Sequence, residues 1–195
     1  MVLPKHFYQR PNVVKIAKEL LGKIVVTHVS GRLTSGIIVE TEAYSYVEKG
    51  CHAYRGKTNR NSAMFSSGGC AYVYLCYGIH SMFNVVTNKE GKADAVLIRA
   101  VQPLVGAEFM LERTRAKQLA RITSGPGKLC NALGIDRKLN NYPLNGNDVW
   151  IENDGANITA RNILASPRIG IGYAGEDALL PWRFTIKGNV WVSKP

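Results

Sequence analysis

Leu33-Thr-Ser-Gly-Ile-Ile-Val-Glu-Thr-Glu-Ala-Tyr44 is the stretch on which the fold turns. It is rich in β-branched residues. Lys23-Ile-Val-Val-Thr-His-Val29 has the same character, and Ser30-Gly31-Arg32 lies between the two, so the pair predicts a β-hairpin. Strand alternation then assigns Ile38, Glu40, Glu42 and Tyr44 to one face. Two carboxylates and a tyrosine on one face of an apolar strand are unusual. Glu42, beside Tyr44, has the chemistry of a general base, or of an anion that stabilises a cationic transition state. The plain alternative is a strand glutamate paired with one of many basic residues. Glu40 qualifies equally on alternation. Two such carboxylates lie about 7 Å apart by strand rise, which neither supports nor excludes a two-carboxylate glycosidase arrangement.

On the N-terminal side, Asn12 caps a predicted helix in which Val13, Ile16, Ala17, Leu20 and Leu21 recur at helical spacing, with Gly22 as its stop. On the other side, residues 45–70 are polar and basic, and predict a long loop carrying His52, Arg55, Lys57, Arg60 and Asn61. Loops of that length in compact domains are often functional. Ala71–Leu75, Phe83–Thr87 and Asp94–Val101 read as strands, with a turn at Tyr77-Gly78. Pro103 is read as opening a helix that runs to Leu119. Ser124-Gly-Pro-Gly-Lys128 leads into a short helix, Leu129 to Leu133, stopped by Gly134. Its glycine-rich start can cradle a phosphate but lacks Walker A spacing. Val149–Glu152 and Arg183–Val192 complete the predicted strands, and no repeat or linker interrupts the chain.

Strands therefore outnumber helices and do not alternate with them, which argues against a doubly wound parallel sheet. The expected architecture is α+β: a single domain over residues 1–195, with a curved, mainly antiparallel β-sheet flanked by short helices. The 195 residues are 46% hydrophobic and 20% charged, enough apolar content for a substantial core and against intrinsic disorder. The longest apolar run, Ala71 to Ile79, is too short to span a bilayer. The N-terminus lacks the pattern of a secretory signal, so action in the compartment of synthesis is expected. Cys51, Cys70, Cys76 and Cys130 include no Cys-x-x-Cys pair and read as idle thiols rather than zinc ligands. The net charge of +11 raises the odds of a polyanionic partner, although a solvated basic face would give the same count.

Several residues stand out chemically. Tyr72 and Tyr74 share a strand face and the turn can project Tyr77 outward; tyrosines on a basic protein suit base stacking, while a tyrosine-rich core strand is the plain alternative. Asn84 and Arg99 sit within apolar strands, so each requires a polar or anionic partner if buried.

These residues also carry a family resemblance. Val39-Glu-Thr-Glu-Ala-Tyr44, His52, Met64-Phe65, Tyr72-Val-Tyr-Leu-Cys-Tyr-Gly78, Asn84, Val96-Leu-Ile-Arg-Ala100, Ser124-Gly-Pro-Gly-Lys-Leu-Cys130 and Arg168-Ile-Gly-Ile-Gly-Tyr-Ala-Gly-Glu176 occur in the order seen in the alkyladenine (3-methyladenine) DNA glycosylases. The chain resembles that family from about residue 30 onward. The resemblance implies DNA repair by base excision: a damaged purine, alkylated or deaminated, is flipped from duplex DNA and its N-glycosidic bond is hydrolysed to leave an abasic site. It implies that Glu42 deprotonates the attacking water, that Arg99 lies near that water and the sugar-phosphate, and that Tyr44, His52 and Tyr74 surround the flipped base. Asn84 would exclude normal guanine and Tyr77 would wedge into the vacated stack. Met64 and Lys128 would contact DNA. Neither metal nor organic cofactor is implied, and no lysine matches a catalytic position, so a Schiff-base lyase step is not expected.

One departure stands out. The family often continues after Ala-Tyr with Gly-Pro and an acidic residue, where this chain reads Ser45-Tyr-Val-Glu-Lys-Gly50. The expected partner is double-stranded DNA, without membrane, and the expected state is a monomer. The expected location is cytoplasmic, nucleoid-associated in a bacterium or nuclear in a eukaryote. The rival reading is a non-catalytic nucleic-acid-binding module that uses the same loops and tyrosines.

Overall fold

A computed structural model describes residues 1–153 and 158–193. The hairpin forms as its sequence requires: β1 (Ile24–Val29) pairs antiparallel with β2 (Arg32–Tyr44). Ser30 and Gly31 both take left-handed backbone, φ 54° and 71°, the conformation that matches a two-residue turn to the twist of its strands. The thirteen-residue β2 is the spine of the sheet. Along one edge it pairs with β5 (Asp94–Val105), and along the other with β1 and then β8 (Arg183–Ile186). With β3 (Ala71–Cys76), β4 (His80–Thr87) and β6 (Val149–Glu152), the order is β3-β4-β5-β2-β1-β6, while β7 (Ile163–Ser166) joins through β8. All pairings are antiparallel, and the sheet curls into a half-barrel in a single α+β domain.

Short helices close the sheet's apolar side. After α1 (Lys5–Tyr8), α2 (Val13–Leu20) starts where the Asn12 side chain accepts from the Lys15 N–H, and it buries Val13, Ile16, Ala17 and Leu20. Thr41 of β2 donates to the Ala17 carbonyl at 2.9 Å, which ties helix to spine. α3 (Ala107–Thr114) and α4 (Pro126–Leu133) complete the layer, and Thr27 of β1 donates to the Leu133 carbonyl at the end of α4. Ile16, Leu20, Ile38, Phe83, Ile98, Met110, Leu129 and Phe184 fill the space between.

Three expectations require correction. Pro103 is not a helix start: β5 continues through it to Val105, with Pro103 opposite Gly36. The missing N–H is tolerated because the edge of β5 away from β2 is partnered by β4 only as far as Leu97 and by Thr123 and Ser124 at Ala100–Val101, which leaves Pro103 beyond both. The helix begins four residues later, after left-handed Gly106. The last strand stops at Ile186 rather than Val192, because Gly188 (φ 74°) turns the chain.

The third correction concerns the faces of β2. Ile38 faces Val101, Glu40 faces Ala100 and Thr41 faces Ile98, so Val39 is an extra residue on β2 and Arg99 an extra one on β5. A bulge shifts the pleat by one position. Ile38 consequently joins the helix-side core with Ala43, whereas Glu40, Glu42 and Tyr44 share the opposite face.

Candidate active site

The opposite face holds a pocket of about 470 Å³. Tyr44 at the end of β2, Tyr72 and Tyr74 on β3, Met82 and Asn84 on β4, and Leu97 and Arg99 on β5 supply the sheet side of its wall; His52 and Ile169–Ile171 supply the loop side. The size falls within the range of small-molecule sites. His52 meets Tyr74 edge-on at 4.6 Å between ring centroids, Tyr72 lies 5.3 Å from Tyr74, and the Tyr72 hydroxyl is 3.1 Å from His52 Nδ1. These rings present flat aromatic surface to a flat ligand. His52 is exposed, but the desolvation of its ring against Tyr72 and Tyr74, and then the nearby Arg60 charge, lower its pKa, which favours the neutral imidazole. Burial pushes the Tyr72 hydroxyl up to about 12, so it remains a proton donor.

Below this cage lies Glu42, fully buried. Its Oε1 accepts the Ile169 backbone N–H at 2.8 Å and stands 3.3 Å from a terminal nitrogen of Arg99; its Oε2 accepts the Tyr44 hydroxyl at 2.8 Å. All three partners line the pocket. The carboxylate therefore sits one side chain behind the wall, held by donors that face the ligand space. Glu40, its equal in the sequence, is placed differently: its oxygens are taken by Arg99, Arg183 and Ser193. Burial opposes the Arg99 charge, but Glu42 and Glu40 outweigh it and raise the arginine's pKa.

The other expected residues fall in distinct places. Asn84 lies opposite Tyr72 and Leu97 and gives its amide protons to the Tyr72 and Met82 carbonyls, which leaves its oxygen as the polar atom available to a ligand. Tyr77 is 92% exposed at the tip of the β3–β4 hairpin, with left-handed backbone (φ 51°), on the pocket rim. Met64 lies in a 3-10 turn, Ser62–Phe65, and is 2% exposed; it sits in the pocket wall, not on an outer surface. Lys128 is exposed near the start of α4, beside a second groove that includes Ile79 and His80 and outside the aromatic pocket. Among the described residues, no group of three or more His, Cys, Asp or Glu side chains is placed to hold a metal ion. None of the described helices is long and apolar enough to cross a membrane.

Sequence reasoning gave no role to Arg168 or Glu48. The Arg168 guanidinium is buried and paired with both Glu48 oxygens at 2.6 and 2.9 Å. It lies over the Tyr44 ring at 4.7 Å and the Trp182 ring at 5.3 Å, and donates to the Ala43 and Asp177 carbonyls. Glu48 belongs to Ser45–Gly50, the segment that departs from the family pattern, and its Oε2 also accepts the Gly50 N–H. The divergent loop is thus anchored from within by an ion pair that backs the pocket wall. The only sequence signal was a lone arginine before Ile-Gly-Ile-Gly, which does not reveal a partner 120 residues away. The rest of the long loop is pinned by buried Asn61, whose amide donates to the His52 and Gly56 carbonyls.

The site thus combines an aromatic pocket, a buried carboxylate behind its wall and a strongly basic chain. The family model described as methylpurine-DNA glycosylase (MPG) matches residues 6–190, and the chain belongs to that family of DNA glycosylases. It is 46% identical over 194 residues, covering 100% of both chains, to a Carboxydothermus hydrogenoformans protein named "Putative 3-methyladenine DNA glycosylase". Proteins of the same name from Methanocella arvoryzae (47% identity; 99% of this chain, 96% of the relative) and Chlamydia abortus (46%; 95% and 98%) are similarly close.

Proposed function

We propose that residues 1–195 act as one monofunctional DNA glycosylase domain that removes alkylated or deaminated purines from double-stranded DNA and leaves an abasic site. The observation that carries this reading is the position of Glu42, buried behind an aromatic pocket and held by three donors that line it. In this reading the damaged nucleotide rotates out of the stack into the pocket, and its base lies against Tyr44, His52 and Tyr74. Tyr77, exposed on the hairpin tip, occupies the gap and offsets part of the unstacking cost. Glu42 takes the proton from a water that attacks C1′ as the C1′–N bond breaks, and its negative charge stabilises the oxocarbenium-like sugar in a low-dielectric site. Arg99 orients Glu42 and the sugar-phosphate. Asn84 crowds the exocyclic amino group of normal guanine, while the good leaving-group character of a cationic alkylated purine speeds its release. Lys128 contributes to backbone contact, and Met64 shapes the wall.

The basic surplus supports salt-sensitive binding to DNA. We place the enzyme as a monomer in the cytoplasm, or with the DNA of the nucleoid or nucleus. The deciding experiment is single-turnover release of base from duplexes containing hypoxanthine, 1,N6-ethenoadenine or 7-methylguanine, with wild type and Glu42→Gln. Excision that collapses in the variant while lesion-DNA binding persists supports the reading. Binding without release of any base, 3-methyladenine in alkylated DNA included, would replace it with a non-catalytic nucleic-acid-binding module.

A further inference from the structure

Beneath the pocket, four buried charges form a continuous chain, Glu42–Arg99–Glu40–Arg183. Arg99 donates from Nε to Glu40 Oε1 at 2.9 Å, while one of its terminal nitrogens lies 3.3 Å from Glu42 Oε1. Arg183 donates from Nε to the same Glu40 oxygen at 2.7 Å. Ser193 adds its hydroxyl to Oε1 at 2.9 Å and its backbone N–H to Oε2 at 2.7 Å, and its own carbonyl accepts from Arg183. Glu40 thus receives four donors from three separate parts of the chain and none of its wall faces the pocket.

We propose that Glu40 is a positioning residue for the excision reaction: it anchors the Nε side of Arg99 so that the far end of the guanidinium meets Glu42 and the pocket. The inference rests on the reading of Glu42 as the base. Arg99 is the extra residue of a bulge on β5 and carries a long, rotamer-rich side chain, so its direction needs a fixed partner. A guanidinium released from Glu40 can turn its fork onto Glu42 and engage both carboxylate oxygens, the favoured geometry for such pairs. That would take from water the oxygen that must receive its proton. Arg183 and Ser193 hold Glu40 in turn, which makes the turn after β8 part of the support of the site. Two arginines and two glutamates also balance, so each buried charge in the cluster has a partner of opposite sign. The other groups facing Glu42 are the Tyr44 hydroxyl and the Ile169 N–H, with the Arg168–Glu48 pair behind Tyr44.

The test compares wild type, Glu40→Gln and Arg183→Gln by single-turnover excision across pH, by lesion-DNA binding, and by NMR exchange of the Arg99 Nε–H. Glu40→Gln is expected to lower the maximal excision rate by about 10- to 100-fold, the scale of a misplaced catalytic group, with lesion affinity little changed. Its surplus positive charge moves the acid limb of the profile to lower pH, whereas Arg183→Gln, with a surplus negative charge, moves it to higher pH. Exchange of the Arg99 Nε–H accelerates in Glu40→Gln. Limbs that stay in place, with rates that fall only as the folded fraction falls, would overturn the proposal, as would an Arg99 Nε–H that stays protected without Glu40. If Glu40→Gln does not fold, the opposite shift in Arg183→Gln decides. A wild type that releases no base refutes the reading of Glu42, and the exchange measurement then decides separately whether Glu40 holds Arg99.

Discussion

The hydroxyl of Tyr44 donates to Oε2 of Glu42 at 2.8 Å, so the ring that walls the pocket is bonded directly to the carboxylate behind it. Burial, and then the charge of Glu42, hold the Tyr44 pKa well above its ordinary value, which keeps the phenol a donor at any working pH. One side chain therefore couples the ligand surface to the buried anion. Tyr44→Phe keeps the ring and removes the bond. Lesion binding is expected to stay within about twofold, while maximal excision falls by about tenfold, one charge-assisted hydrogen bond's worth of orientation. With a stabilising donor gone, the acid limb of the rate profile moves to higher pH. Single-turnover kinetics from pH 5 to 8 measure both; an unchanged rate and profile would separate Tyr44 from the chemistry.

The Arg168–Glu48 pair should dominate local stability. Breaking a buried ion pair from one side costs about 3–5 kcal/mol, because the other charge is left without its partner. Arg168→Met is expected to lower Tm by roughly 10 °C for a chain of this size. Adding Glu48→Leu should restore part of that loss, since the stranded charge is then removed too. A double variant as unstable as the single one, in calorimetry, would show that the stacking of Arg168 on Tyr44 and Trp182 matters more than its charge pairing.

Tyr77 makes the reverse prediction. It is 92% exposed, so Tyr77→Ala should change stability by no more than about 0.5 kcal/mol. If Tyr77 fills the gap left by a flipped nucleotide, excision from duplex DNA falls by about tenfold, one to two kcal/mol of unstacking left uncompensated. Excision from single-stranded DNA, which has no stack to fill, should be spared. An equal loss on both substrates would make Tyr77 an ordinary contact.

His52 links stability to pH. The residue is exposed, but its ring lies against Tyr72 and Tyr74, and this desolvation, followed by the charge of Arg60, lowers its pKa in the folded protein from the ordinary 6.5. The unfolded chain therefore takes up the proton first as pH falls. The contribution of the neutral imidazole is full above about pH 6.5 and is lost as pH drops from there through the lower folded value. His52→Gln should flatten the decline in stability between pH 7 and 5, measured by denaturant unfolding at each pH. Parallel curves for the two proteins would remove His52 as a contributor.

Much of this protein was legible without coordinates. The β1–β2 hairpin followed from two β-branched runs around Ser30-Gly31, and the helix after Asn12 from its apolar spacing and cap, because both signals are local. The resemblance carried by Val39–Tyr44, Tyr72–Gly78 and Arg168–Glu176 indicated the family that the comparison then established. Where local signals conflicted, the reading failed: Pro103 looked like a helix start because its tolerance in β5 depends on where β4, and then Thr123 and Ser124, stop pairing.

The sequence by itself determined that this would be an α+β domain with carboxylates on its central strand, because strand period and turn chemistry are written in neighbouring residues. Only the tertiary structure decided which donors each carboxylate receives and which of the two backs the pocket. Two compensating bulges set Ile38 apart from Glu40 and turned Arg99 between Glu40 and Glu42, and residues from far along the chain, Arg183 and Ser193, closed on Glu40 alone. Glu40 and Glu42 are alike in composition and alternation, and they differ because a buried charge takes its character from the donors the fold brings to it.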